Sequence, residues 1–205
     1  ALVLHVLGLI DDRKNLGPIV KLAVQFAVAI GVVLSCETLR VLTVAGSWGS
    51  GILTVLWIVG ICNAFNFLDN MDGLAGGVAA IVAGSLLAAS ASAGQIFVPA
   101  WLCVILGALI GFLLFNFPPA KVFMGDAGSL VIGYLLAVLS ALTTYTPPGE
   151  TFYAYGVFVP LIIMAVPLYD MISVVSLRLR DRKSPMVGDR RHFSHRLIRR
   201  GMSVP

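Results

Sequence analysis

Hydrophobic positions fall in long unbroken runs along this chain, and polar positions gather in the short gaps between them. Runs of about 20 apolar residues match the hydrocarbon thickness of a bilayer and predict spanning helices. Six such spans are expected: 19–38, a second ending near residue 67, then 73–92, 97–115, 130–145 and 153–175. Pro160 and Pro167 should kink the last one. The span at 73–92 is rich in Ala and Gly, which suits close helix packing. Residues 1–10 are apolar but too short to span. They are expected to be the end of a helix that starts upstream, within a longer protein. Polar loops are expected at 11–18, 45–51 and 116–128, with a turn at Pro147-Pro148-Gly149.

The expected fold is therefore all-α: a polytopic membrane bundle of six full spans plus an N-terminal helix stub. Residues 1–177 form the bundle with its cytoplasmic loops, and 178–205 a basic cytoplasmic tail. Composition agrees. Of the 205 residues 59% are hydrophobic and 12% charged, and the mean hydropathy is +0.96. A soluble domain carries roughly 25% charged residues. A membrane β-barrel would show short alternating segments, and those are lacking. Cys36, Cys62 and Cys103 are scattered through apolar runs and read as packing residues rather than a zinc site or disulfide framework.

Charge fixes the orientation. This threading puts every one of the 14 lysines and arginines except Arg40 on one side. The positive-inside rule makes that side cytoplasmic. Asp11, Asp12, Asp69, Asp72 and Asp126 fall on the same side, at the ends of apolar helices. Carboxylates at such positions are expensive and mark function. The basic tail meets anionic lipid or binds an anion; no motif of nucleic-acid recognition accompanies it.

Four blocks carry chemistry. Asp11-Asp12 at a helix end can bind a divalent cation or supply a general base; a solvated turn is the alternative. Asn63, Asn66 and Asp69, spaced i, i+3, i+6, put three oxygen-bearing side chains on one helical face, which suits Mg²⁺, and Asp72-Gly73 follow. Polar helix packing is the alternative there. The turn Gly125-Asp126-Ala127-Gly128-Ser129 leads into a helix and offers backbone N–H groups to an anion, with Asp126 placed for an accompanying cation. Phe123, just before it, can stack on a base or anchor the loop. Arg190-Arg191-His192-Phe193-Ser194-His195-Arg196 can clamp a pyrophosphate, since guanidinium forks suit phosphate oxygens. A juxtamembrane basic helix is the alternative.

In this order the blocks resemble the polyprenyl-phosphate N-acetylhexosamine-1-phosphate transferases (glycosyl transferase family 4), and within them the bacterial undecaprenyl-phosphate GlcNAc-1-phosphate transferase branch. The resemblance rests on Asp11-Asp12, on Lys21 with Gln25, and on Asn63-x-x-Asn66-Phe67-x-Asp69-x-x-Asp72-Gly73-Leu74-Ala75. It continues through Pro119-Ala120-Lys121-x-Phe123-Met124-Gly125-Asp126-x-Gly128-Ser129, Asp170 and His192-x-x-His195-Arg196-Leu197. It implies transfer of a sugar-1-phosphate from a UDP-sugar to undecaprenyl phosphate, with release of UMP, at the cytoplasmic face of a bacterial inner membrane. It implies Asp11, Asp12 and Asp126 as catalytic, and Asn66 and Asp126 as ligands of Mg²⁺, with Mn²⁺ as a substitute. It implies that Lys21, Asn63, Asp69, Asp72, Lys121, Phe123, Arg191, His192, His195 and Arg196 bind substrate, Phe123 lying against the uracil. A homodimer is a further expectation from family habit.

The chain departs from the family pattern at Asn70, where Gly is common, and in its His-Phe-Ser-His block. The latter differs both from the His-rich triplet of the phospho-MurNAc-pentapeptide translocases and from the commoner His-x-His-His. Two other classes compete. A CDP-alcohol phosphotransferase needs Asp-Gly-x-x-Ala-Arg, and Asp72-Gly73 is followed by Leu74-Ala75-Gly76-Gly77 instead. A transporter would favour midplane charges and internal repeats. Here the carboxylates lie toward one surface, and no repeat is evident.

Overall fold

The structure is a computed structural model and describes residues 1–42, 46–145 and 158–182. Among the described residues eight α-helices and no strand occur. Helix α1 (Leu2–Lys14) stops at Asn15, whose left-handed backbone (φ 48°) turns its N–H back to the Asp11 carbonyl. Asn tolerates that conformation. Gly17 (φ 81°) then reverses the chain, and Pro18 opens α2 (Pro18–Ser35) at a position where its missing N–H costs nothing. Helix α3 (Gly46–Leu68) follows. Gly73 (φ 72°) starts α4 (Leu74–Ser92), which leads to α5 (Phe97–Asn116) and α6 (Gly125–Leu142).

Helices α2 to α6 are each long and apolar enough to cross a membrane. This is a multi-pass membrane protein. Of the sixth expected span, the part at 153–157 lies outside the described residues. The rest is not one helix but two: α7 (Val159–Ile163) and α8 (Ala165–Arg180), broken at Met164. The cause is Pro167. Its ring conflicts with the carbonyl four residues back, at Ile163, and it has no N–H to give. Pro160 sits in the first turn of α7, where it is tolerated.

Two helix starts differ most from the sequence expectation. The expected Gly/Ser loop at 45–51 is helical from Gly46. Ser50 Oγ donates to the Val41 carbonyl at 2.7 Å and Thr54 Oγ1 accepts the Val41 N–H at 2.9 Å, so this turn is tied to the preceding chain. Helix α6 starts at Gly125, well before residue 130.

Helix α3 is the centre of the bundle and packs on α6, α8, α2 and α4, most extensively on α6. At that crossing Gly133 lies so close to α3 that a Cβ would stand 2.7 Å from Cys62 Cα. Gly8 plays the same part between α1 and α6: a Cβ there would stand 2.4 Å from Ala127 Cα. Small residues let backbones approach where lipid supplies no hydrophobic drive between helices. At the bundle end away from Lys21, Arg40 Nη1 donates to the carbonyls of Val33 (2.9 Å), Leu39 (2.9 Å) and Cys36 (3.3 Å), closing the C-terminus of α2. Gln95 likewise bridges the Leu142 carbonyl and the Thr144 N–H.

Candidate active site

The C-terminal ends of α1 and α3 and the N-terminal ends of α2 and α6 meet at one end of the bundle. Lys21, one turn into α2, is the hub. Its ammonium lies 2.9 Å from Asp11 Oδ2 on α1 and 2.7 Å from Asp126 Oδ2 on α6. The other oxygen of Asp126 accepts a hydrogen bond from Asn66 Nδ2 on α3 (2.8 Å), and the same nitrogen donates to Ser129 Oγ (3.0 Å). Asp11 Oδ1 accepts the Leu16 N–H at 2.7 Å. The Asp12 carboxylate turns the other way. It accepts the backbone N–H groups of Asp126 (2.9 Å) and Ala127 (3.2 Å).

Beside this cluster opens a cavity of about 270 Å³, lined by Asp69, Asn70, Met71, Asp72, Asn116, Phe123 and Gly125. Two side chains hold its walls together. Asn116, 5% exposed at the end of α5, accepts the Gly73 N–H at 2.9 Å and donates to the Val122 carbonyl at 2.8 Å. Asp72 Oδ2 accepts the Ala120 N–H at 3.0 Å. The turn after α3 and the loop before α6 are thus cross-tied. Phe123 stands at the rim with 72% of its surface exposed, an open ring face beside a polar cavity.

Electrostatics divide the carboxylates. Burial pushes Asp11 up, but the Lys21 ammonium, a shared contact with Asp126 and the Leu16 N–H outweigh it and hold the group below its ordinary value. Asp69 behaves oppositely. Burial first, and then the Asp126 charge, push it up to about 6, against a Gly125 N–H that favours its carboxylate.

Residues 1–144 match the model of glycosyl transferase family 4, most of the chain. The chain belongs to glycosyl transferase family 4. It is 35% identical over 210 residues to a probable undecaprenyl-phosphate N-acetylglucosaminyl 1-phosphate transferase of Bacillus subtilis, covering 99% of this chain and 58% of that protein. It is 35% identical over 221 residues to a decaprenyl-phosphate N-acetylglucosaminephosphotransferase of Mycolicibacterium smegmatis (96% and 54% covered). It is 30% identical over 215 residues to an undecaprenyl-phosphate alpha-N-acetylglucosaminyl 1-phosphate transferase of Escherichia coli K12 (98% and 57% covered). The chain spans somewhat more than half the length of these relatives.

Within this family 4 chain, the residues singled out by sequence separate into groups. Asp11, Lys21, Asn66 and Asp126 converge directly. Asp69, Asp72 and Phe123 line the adjoining cavity. Lys121 is exposed on the loop before α6, its backbone N–H bonded to the Phe115 carbonyl. Asn63 lies one turn before Asn66, toward the bundle interior. Its amide donates to buried Gln25 on α2 and to the Val59 carbonyl, so in this structure it ties α2 to α3. Asp170 is buried in α8. Arg191, His192, His195 and Arg196 lie outside the described residues.

Sequence reasoning passed over Ser129's bond to Asn66, the two-loop tie made by Asn116, and Arg178. The last is 3% exposed on α8, with its guanidinium carbon 5.3 Å from the centroid of the Phe67 ring, between Asn66 and Asp69 in sequence. Ser129 sits inside a block already marked and Asn116 opens the polar loop expected at 116–128, so these were the signals for them. Arg178 had only its burial-compatible place beside Val174 on the inner face of α8.

Proposed function

We propose that the protein carrying this chain transfers an N-acetylhexosamine-1-phosphate from a UDP-sugar to undecaprenyl phosphate at the cytoplasmic membrane face, releasing UMP. One observation carries this reading. Residues of three blocks, with Lys21 of α2, meet as a Lys21–Asp11–Asp126–Asn66 cluster against a cavity of about 270 Å³, at one end of a membrane bundle. A lipid phosphate and a soluble nucleotide can meet only at such a surface. Midplane transport chemistry would need the carboxylates elsewhere. The asymmetric distribution of lysine and arginine supports the cytoplasmic side.

The donors present suit Mg²⁺, with Mn²⁺ as a substitute. Asn66 and Asp126 offer oxygens, and among the described residues no group of three His, Cys, Asp or Glu is arranged as a metal cage. Mg²⁺ is commonly held by one or two carboxylates plus substrate phosphates and water. Held by Asn66 and Asp126, it would supply charge neutralisation on the diphosphate and on departing UMP. Lys21 screens the repulsion between an anionic nucleophile and an anionic diphosphate. Asp11 keeps that ammonium in place beside the lipid phosphate. A monoester phosphate is largely ionised near neutral pH, with a second pKa of about 6, so no base is required for attack. Asp69 and Asp72 line the nucleotide cavity and Phe123 lies against the uracil. Arg191, His192, His195 and Arg196 would bind the pyrophosphate or the sugar.

The test is UMP release by the full-length parent protein in detergent, with undecaprenyl phosphate and Mg²⁺, across UDP-GlcNAc, UDP-GalNAc and UDP-MurNAc-pentapeptide. Release dependent on lipid and metal with an N-acetylhexosamine donor is expected, and its loss in Asp126→Ala. Preference for UDP-MurNAc-pentapeptide would move the protein to the peptidoglycan branch. Undiminished release by Asp126→Ala would overturn the metal assignment.

A further inference from the structure

We propose that Asp12 is a positioning residue: its carboxylate caps helix α6 from outside and thereby aims Asp126, while its neighbour Asp11 serves the phosphate side of the cluster. The inference rests on the transfer reading above for its kinetic consequences, but not for its structural ones.

Helix α6 has no cap of its own. Its N-cap residue is Met124, and no side chain of that residue bonds the first turn. The first N–H groups of a helix need partners, and a side-chain oxygen is the usual one. Here Asp12 supplies both of its oxygens, one to the Asp126 N–H (2.9 Å) and one to the Ala127 N–H (3.2 Å). A negative group at this position also meets the positive end of the helix dipole.

The surrounding chain is built around that carboxylate. Gly125 has φ +60°, and a Cβ there would stand 2.9 Å from Asp12 Oδ2. On α1, His5, Gly8 and Asp12 are spaced i, i+3, i+7 and lie on one face. All three address the first turn of α6. His5 Nδ1 is 3.2 Å from the Ala127 carbonyl, and Gly8 leaves no room for a side chain against the Ala127 backbone. The register of α1 on α6 is therefore set from three points.

Asp126 is fixed through its own N–H, and its side chain is left to face Lys21 and Asn66. Asp11, adjacent on α1, projects about 100° around the helix from Asp12. It meets Lys21 and the Leu16 N–H instead. Two neighbouring carboxylates thus have separate partners, and the pair does not act as one cation site or one base.

The experiment uses the full-length parent in detergent, with Asp12→Asn, Asp12→Ala and Asp11→Asn. Amide hydrogen exchange over the first turn of α6 reads the cap. Loss of a cap shifts a local equilibrium by about five- to tenfold. Exchange faster by that factor is expected in Asp12→Ala, less in Asp12→Asn, which keeps one acceptor oxygen, and unchanged in Asp11→Asn. UMP release should fall further in Asp12→Ala than in Asp12→Asn, which stays partly active with its pH profile unaltered and its Mn²⁺ affinity weakened in parallel; Asp11→Asn lowers release as well, through Lys21, but with native exchange in α6. Unchanged exchange in Asp12→Ala would overturn the proposal. So would an Asp12→Asn variant with native exchange, no UMP release and no acid limb, the behaviour of a lost base. If the wild-type parent released no UMP the transfer reading would fail, and exchange alone would still decide the cap.

Discussion

Alanine at Gly133 tests the packing that sets the distance between the two halves of the site. A Cβ there would lie 2.7 Å from Cys62 Cα and 3.0 Å from the Ile61 carbonyl oxygen, both backbone atoms of α3. Carbon atoms in contact sit ~3.5–4.0 Å apart, so α3 and α6 must separate by about 1 Å at this crossing. The same two helices carry Asn66 and Asp126, whose hydrogen bond is 2.8 Å long. A further ~1 Å takes that bond out of range. Overpacking of this kind costs about 1–3 kcal/mol. Against it stands the ordinary gain of replacing a helical glycine, about 0.5–1 kcal/mol. The net expectation is destabilisation by about 1 kcal/mol. Gly84 and Gly107, on α4 and α5, have nothing within 4 Å of a built Cβ and so give the gain alone. Equilibrium unfolding in detergent micelles should therefore move in opposite directions for Gly133→Ala and for Gly84→Ala or Gly107→Ala. A Gly133→Ala variant stabilised like the other two would refute the reasoning.

Three further outcomes follow from the site. Asp69 sits at about 6 in the folded chain against an ordinary 3.8, so its proton favours the folded state; metal-free stability should fall as pH rises through that window, and Asp69→Asn should flatten the slope. A slope that survives the substitution would exclude Asp69 as its source. Asn116→Ala leaves the Gly73 N–H and the Val122 carbonyl without their partner; a loss of about 1–3 kcal/mol is expected, and steady-state kinetics should show KM for the UDP-sugar rising more than kcat falls. An unchanged KM would remove Asn116 from the cavity's support. Lys21→Met leaves Asp11 and Asp126 facing each other with no cation, which should cost about 1–3 kcal/mol of stability and at least ~100-fold in UMP release. An unfolding midpoint unmoved by the change would show that the pairs contribute nothing.

What could be read in the sequence was what is local. Run length located the helices, and the charge pattern put Asp11, Lys21, Asn66, Asp72 and Asp126 at one end of them. The rest depends on partners far along the chain. Helix α6 starts at Gly125 because Asp12, more than a hundred residues earlier, supplies its cap; no neighbour of Gly125 announces it. Asn63 shares the face of Asn66 by spacing, yet one turn of depth places it against Gln25 rather than at the surface. The last span reads as continuous by hydropathy, but Pro167 divides it at Met164. The tie made by Asn116 needs two loops to be adjacent, which periodicity does not encode.

A site proposed for two anionic substrates and yet lined with aspartates looks self-defeating until the oxygens are followed one by one. Asp11 gives its pair to Lys21 and the Leu16 N–H, Asp12 to two N–H groups of α6, and Asp126 to Lys21 and Asn66. Asp72 holds the Ala120 N–H. Each of these carboxylates is matched to donors, so its charge serves to hold cations and amides in fixed directions instead of repelling phosphate across the cavity. A charge-assisted bond of this kind is about twice as strong as a neutral one, which makes the arrangement stiff. Asp69 differs: burial and the Asp126 charge raise it despite the Gly125 N–H, and it lines the cavity. On the proposed reading, a cation bound beside Asp126 would also offset the charge that raises Asp69. That region adjoins Asn66, and under the proposed transfer it would set charge neutralisation between the cavity and the Lys21 side of the cluster, where a diphosphate would have to be cut.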